Sequence, residues 1–127
     1  MASRRTTLFF DGGCRPNPGR MEAAVVLRGK VHLFDDLGPG TSEDAEWLAL
    51  ILALDLAHTA GLAECELVGD ALAVIRAARA ALASGTAANS HAAAFLAAAA
   101  RLRPARIRWI KREQNLAGIA LAARHPR

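Results

Sequence analysis

The sequence predicts an α/β fold, a mixed β-sheet with helices packed on its faces. The first forty residues hold three β-prone runs separated by glycine and proline turns. The rest alternates helical periodicity with short apolar strands, in the order helix, strand, helix, helix, strand, helix. Of the 127 residues, 53% are hydrophobic, enough for one core and against global disorder.

Each element follows from local chemistry. Residues 6–11 are β-prone and run into Gly12-Gly13, which predicts a strand ending at Asp11 and a turn prolonged by Pro16, Pro18 and Gly19. Residues 22–28 and 30–37 flank Gly29 and predict a hairpin. Residues 37–40 read as a loop. Thr41 to Asp44 then has the form of a capping box, a hydroxyl with an acid three residues later. The helix it opens extends to about Ala60, with Trp47, Leu50, Ile51 and Leu54 on one face. Residues 65–69 form a strand ending before Asp70. Residues 72–82 and 88–102 are alanine-rich helices, favoured by the high helix propensity of alanine. Pro104 separates them from a last strand, 107–110, and a last helix covers 115–123. No linker or repeat divides the chain, so residues 1–127 are expected to form a single domain.

Composition narrows the partners. No apolar run reaches the roughly 18 residues of a membrane span, and the N-terminus lacks a signal-peptide pattern. A cytoplasmic protein without a membrane partner is expected. Cys14 and Cys65 have no metal-ligand spacing and are expected to be reduced. Net charge is +4, but from Arg101 to Arg127 eight basic residues face one acid, Glu113. Such a stretch suits a polyanion such as nucleic acid. On charge alone, a solubilising arginine-rich surface is the simpler account.

Three acids stand where chemistry is concentrated in a mixed sheet. Asp11 ends the first strand, Asp70 follows the fourth, and Glu46 lies in the first turns of the long helix, aligned with Ala49, Leu50 and Ala53. Ligands of such sheets gather outside the carboxyl ends of adjacent strands. Taken singly, each acid has an ordinary place as a turn, dipole or cap residue. Together, and in this element order, they predict a carboxylate cluster. Clustered carboxylates repel unless a cation neutralises them, and oxygen-only ligands suit Mg2+ or Mn2+.

The segment Asp11-Gly12-Gly13 with Asn17-Pro18-Gly19, followed by Glu46 and Asp70, resembles the ribonuclease H family. That family has an aspartate in a DG(S/G)xxxNPG segment, a glutamate near the start of its first long helix and an aspartate after its fourth strand. Arg112-Glu113-Gln114-Asn115 resembles the R-E-Q-N stretch of its compact members. The resemblance implies a five-stranded sheet of order 3-2-1-4-5 with helices on both faces. It also implies one or two Mg2+ or Mn2+ ions on Asp11, Glu46 and Asp70, and endonucleolytic cleavage of RNA in RNA–DNA hybrids. Gly12, Gly13, Asn17, Lys111 and Arg112 become the expected substrate contacts, and a monomer the expected state. The family carries a fourth acid in its last helix, in an N-x-x-A-D-x-L-A pattern. Here Asn115 to Ala122 places Ile119 at the acid's position, which leaves one ion short of a ligand. A non-catalytic nucleic-acid-binding module on the same fold is the alternative. His125, beyond the helix, is expected to be solvated, as are His32, His58 and His91. Trp47 and Trp109 are expected in the core.

Overall fold

A computed structural model describes residues 5–125. The reading of the extreme N-terminus, and Arg127 of the basic stretch, lie outside them. Strand β1 (Arg5–Cys14) pairs antiparallel with β2 (Gly19–Leu27), which pairs antiparallel with β3 (Lys30–Phe34). A two-residue strand, β4 (Pro39–Gly40), pairs with the start of β2. On its other side β1 is parallel to β5 (Glu64–Gly69), and β5 to β6 (Arg106–Trp109). The main path is β3-β2-β1-β5-β6. This is the expected order of five strands, with β4 as an addition that the expected loop at 37–40 had concealed. Helices α1 (Ser42–Thr59), α2 (Leu72–Ser84), α3 (Ser90–Arg101) and α4 (Leu116–Ala123) complete the fold, with a 3-10 turn at Arg112–Gln114.

The hairpin turn between β2 and β3 puts Arg28 and Gly29 at φ of 52° and 78°, the left-handed pair of a tight two-residue connection. The capping box of α1 forms as expected: Thr41 Oγ1 accepts from the Asp44 N–H at 3.1 Å, and Asp44 accepts from the Thr41 N–H at 2.9 Å. Trp47, Leu50 and Leu54 are buried with Leu8, Phe10, Val25 and Leu67. Each such side chain contributes about 2 kcal/mol by leaving water. Ile51 is only partly buried; the face of α1 is completed by Ala45, Ala49, Ala53 and Ala57. These small residues let the helix lie close on the sheet. On the opposite face, α4 packs Ala117 and Leu121 against Phe9, Ala24 and Val26.

Several expectations are corrected. Asp11 does not end β1. The strand runs three residues further because Gly12, Gly13 and Cys14 pair with Ala23, Glu22 and Met21. Trp109 is 42% exposed, since it closes the last strand at the sheet edge, and its indole donates to the Asp70 carbonyl at 3.1 Å. His91 is not simply solvated: it bonds Asp44 at 2.7 Å and stacks on Trp47. His125 bonds Glu22 at 2.5 Å. The basic stretch is largely consumed internally. Arg106 and Arg108 pair with Glu66, Arg101 with Asp55, and Arg124 with Glu22 and Asp35. Cys14 and Cys65 are free and buried. No helix among the described residues is long and apolar enough to cross a membrane.

Candidate active site

The parallel ladder between β1 and β5 runs from Arg5↔Glu64 to Phe9↔Val68. Continuing that register sets Asp11 beside Asp70, on the same face, at the point where β5 stops and β1 goes on. The end of β5 therefore opens a crevice whose wall is the remainder of β1. Gly69, the last residue of β5, is required there: a Cβ would lie 2.6 Å from the Phe10 ring.

Glu46 arrives from α1 through an equally close approach. A Cβ on Gly12 would fall 2.1 Å from the Ala45 carbonyl oxygen, so only glycine lets α1 touch β1 here. Beyond the end of β5, the Gly12 N–H donates to Glu46 Oε1 at 2.9 Å. Asp11, Glu46 and Asp70 each present an oxygen within 4.8 Å of the others. They line one open cleft of about 350 Å³ with Gly12, Gly13, Arg112 and Gly118.

Asn115 was not anticipated as a site residue. It is fully buried. Its amide donates to Asp70 Oδ2 at 2.9 Å and to the Phe10 carbonyl at 3.0 Å, while its Oδ1 caps α4 by accepting from the Ala117 N–H at 3.1 Å. One side chain thus starts a helix and fixes a carboxylate. The available signal was an asparagine immediately before an apolar helical run.

The carboxylates are in electrostatic conflict. Burial, and next the charge of Asp70, push Asp11 up to about 7. Burial, and next the charge of Asp11, push Glu46 up to about 9. Asp11 and Glu46 keep their protons to higher pH than free carboxyls because removing them puts negative charge beside negative charge in a partly dry cleft. An all-oxygen donor set in that state fits a hard divalent cation, Mg2+ or Mn2+, which would relieve the repulsion.

The other expected contacts are arranged unevenly. Arg112 is exposed on the cleft wall, and Lys111 is exposed next to it in sequence. Asn17 is exposed, but its Oδ1 accepts from the Ser42 N–H at 3.1 Å, tying the β1–β2 loop to the start of α1. Gly13 lines the cleft with no side chain. Helix α4 brings no acid: Ile119 is 52% exposed, and a Cβ at Gly118 would point at Asp11 Oδ2 (3.5 Å) and Asp70 Oδ2 (3.6 Å).

Comparison with known proteins agrees with this architecture. The model of the family described as "Reverse transcriptase-like" matches residues 9–125. RNase H1 from the halophilic archaeon Halobacterium salinarum superposes with a TM-score of 0.68 at 28% identity, over 94% of this chain and 99% of that one. The N-terminal RNase H domain of a Mycobacterium tuberculosis protein, solved as a fusion with maltose binding protein, gives 0.67 at 25% identity, over 95% and 96%. LC11-RNase H1, solved in complex with RNA/DNA hybrid, gives 0.69 at 24% identity, over 88% and 89%. No curated protein sequence matches the chain. The family match over nearly the whole length, with the strand order and the acidic crevice at the end of β5, makes the chain a member of the reverse transcriptase-like, ribonuclease H-like family.

Proposed function

We propose that this protein is a Mg2+- or Mn2+-dependent endonuclease of ribonuclease H type that cuts RNA in RNA–DNA hybrids, with activity reduced by the missing acid of α4. The observation that carries the reading is the convergence of Asp11, Glu46 and Asp70, from three separate elements, to within 4.8 Å. Bound there, a divalent cation would polarise a phosphodiester and make a water more acidic. The chain's own residues do the positioning. The Gly12 N–H orients Glu46, and the Asn115 amide orients Asp70. Arg112 stands where it would meet a backbone phosphate, with Lys111 adjacent. The bond from Asn17 Oδ1 to Ser42 leaves the Asn17 amide free to donate to a sugar–phosphate backbone. Gly12 and Gly13 let a strand approach closely.

The test is incubation of purified protein with labelled RNA–DNA hybrid in Mg2+ and in Mn2+. Cleavage that disappears in Asp70→Asn is expected. A hybrid left uncut in both metals at high enzyme concentration overturns the reading. The second reading, a non-catalytic nucleic-acid-binding module, draws on the absence of an acid in α4. It predicts hybrid binding that weakens steeply with salt and no cleavage. Ile119→Asp separates the two, since a large gain in cleavage marks a working site short of one ligand.

A further inference from the structure

Strand β3 is an outer edge of the sheet: β2 lies on one side of it, and no strand among the described residues lies on the other. The tight turn at Arg28 and Gly29 fixes which of its backbone groups face outward. A two-residue connection closes on a hydrogen-bonded pair, here Leu27 and Lys30. Bonded and non-bonded pairs then alternate, so Lys30, His32 and Phe34 turn their N–H and C=O groups to β2. Val31 and Leu33 turn theirs to the open edge.

The side chains of these two residues are open as well. Val31 pairs with Val26 and Leu33 with Ala24, so both stand on the sheet face where Val26 and Ala24 pack under α4. Yet Val31 is 44% exposed and Leu33 47% exposed. The opposite edge, β6, is protected in the usual way by charge along the strand, from Arg106 and Arg108. In β3 the charges are gathered at the two ends. Arg28 and Lys30 precede the apolar pair, and Asp35 and Asp36 follow it. No ion pair among the described residues uses Arg28 or Lys30. Asp36 makes a single 3.5 Å contact, with Arg20, in which both side chains are exposed.

This segment is complementary to itself when reversed. Set antiparallel about His32, Val31 of one copy meets Leu33 of the other, and the outward N–H and C=O groups of each such pair bond one another. The valine and leucine side chains of the two copies then cover each other on the α4 face. The basic start of each strand lies against the acidic end of its mate, whereas a parallel pairing would set like charges together. The symmetry closes at two copies, because each spends its one β3 edge.

We propose that two copies of this chain join edge to edge through β3, antiparallel and centred on His32, into one continuous sheet, in place of the expected monomer. The contact is one five-residue strand from each copy, which puts it among the small, reversible interfaces. It is independent of the nuclease reading and leaves Asp11 clear, because β2 lies between β3 and β1.

Sedimentation equilibrium in mildly alkaline buffer, from micromolar to submillimolar protein, is expected to show the mass rising from one chain to two. Leu33→Lys brings two ammonium groups into the shared patch and is expected to stay at one chain throughout. Leu33 is half exposed, so the variant is expected to melt with the wild type by circular dichroism. The register is read by cross-linking. His32→Cys sets two thiols on the symmetry axis, about 4.5 Å apart at Cα and within reach of a disulfide, so an added mild oxidant is expected to give a covalent dimer. Lys30→Cys lies four strand positions from its equivalent, about 13 Å, and is expected to give none. Cys14 and Cys65 are buried and do not compete. A wild type with the mass of one chain at submillimolar concentration overturns the proposal, and that is the result expected of an edge kept for a foreign peptide. Continued association of Leu33→Lys, or equal cross-linking at the two introduced cysteines, overturns it too.

Discussion

Glu46→Gln removes a charge from the acidic cluster while keeping an oxygen that accepts the Gly12 N–H bond. Burial and Asp11 raise the Glu46 carboxyl from 4.5 to about 9. The folded state therefore holds this proton more tightly than the unfolded chain. In the absence of metal, the contribution of this carboxyl to stability is fully present below about pH 4.5 and is lost as pH rises toward 9. At pH 7 the interval above 4.5, at about 1.4 kcal/mol per pH unit, sets a ceiling of about 3 kcal/mol on what this glutamate withholds. Because Asp11 shares the conflict, the single substitution should recover about 1–3 kcal/mol. With an unfolding entropy of about 2.1 cal/mol/K per residue, 127 residues convert 1 kcal/mol to about 4 °C. Thermal melts followed by circular dichroism in chelator should thus show Tm raised by about 4–12 °C at pH 7 and unchanged at pH 4.5. The same substitution removes a metal ligand, so hybrid cleavage should fall by about a hundredfold, roughly 3 kcal/mol of lost transition-state stabilisation. A variant with wild-type Tm at pH 7, or with the same gain at pH 4.5, would refute the claim that the carboxylates oppose one another in the folded state.

Gly12→Ala would drive a methyl group into the Ala45 carbonyl, 2.1 Å from the Cβ position, so α1 must shift. A loss of about 3 kcal/mol in urea denaturation is expected, and a variant within 0.5 kcal/mol of wild type would contradict the close contact (both by the usual scale for overpacking). Asn115→Ala leaves Asp70 Oδ2 and the Phe10 carbonyl without this donor and uncaps α4. It should cost about 2 kcal/mol in the same assay and lower cleavage more than Tm alone explains. The bond from His91, then those from Thr41, hold Asp44 below the usual carboxylate range. Its contribution is therefore present above about pH 4 and lost as pH falls through the lowered value, so Asp44→Asn should lower Tm at pH 6 and not at pH 2. Arg112→Ala should weaken hybrid binding at low salt and reduce the slope of log affinity against log salt by about 1, measured by fluorescence anisotropy.

Much of this was legible in one dimension. The capping box at Thr41 and Asp44, the Arg28-Gly29 turn, and the apolar face of Trp47, Leu50 and Leu54 depend on neighbours within a few residues. Local periodicity and capping chemistry therefore expose them. Asp11, Glu46 and Asp70 were also visible, because each sits at a recognisable start or end of an element. The continuation of β1 through Gly12 and Gly13 was not, since glycine pairs signal a turn unless a partner strand is known to extend alongside them. The basic stretch misled for a related reason. Arg106 and Arg108 on β6 meet Glu66 on β5 only because the two strands lie parallel, and that pairing joins residues some forty positions apart.

The sequence by itself determined the elements, their order and the identity of the three acids, because those follow from short-range propensity, spacing and side-chain chemistry. Only the tertiary structure decided that Asn115 grips Asp70, that Glu22 opens onto the same cleft, and that Arg124 and His125 hold it. These contacts join β2, β5 and the ends of α4 across about 45 to 103 positions. Such pairs are set by sheet register and by which face a helix covers, neither of which leaves a local trace in the chain.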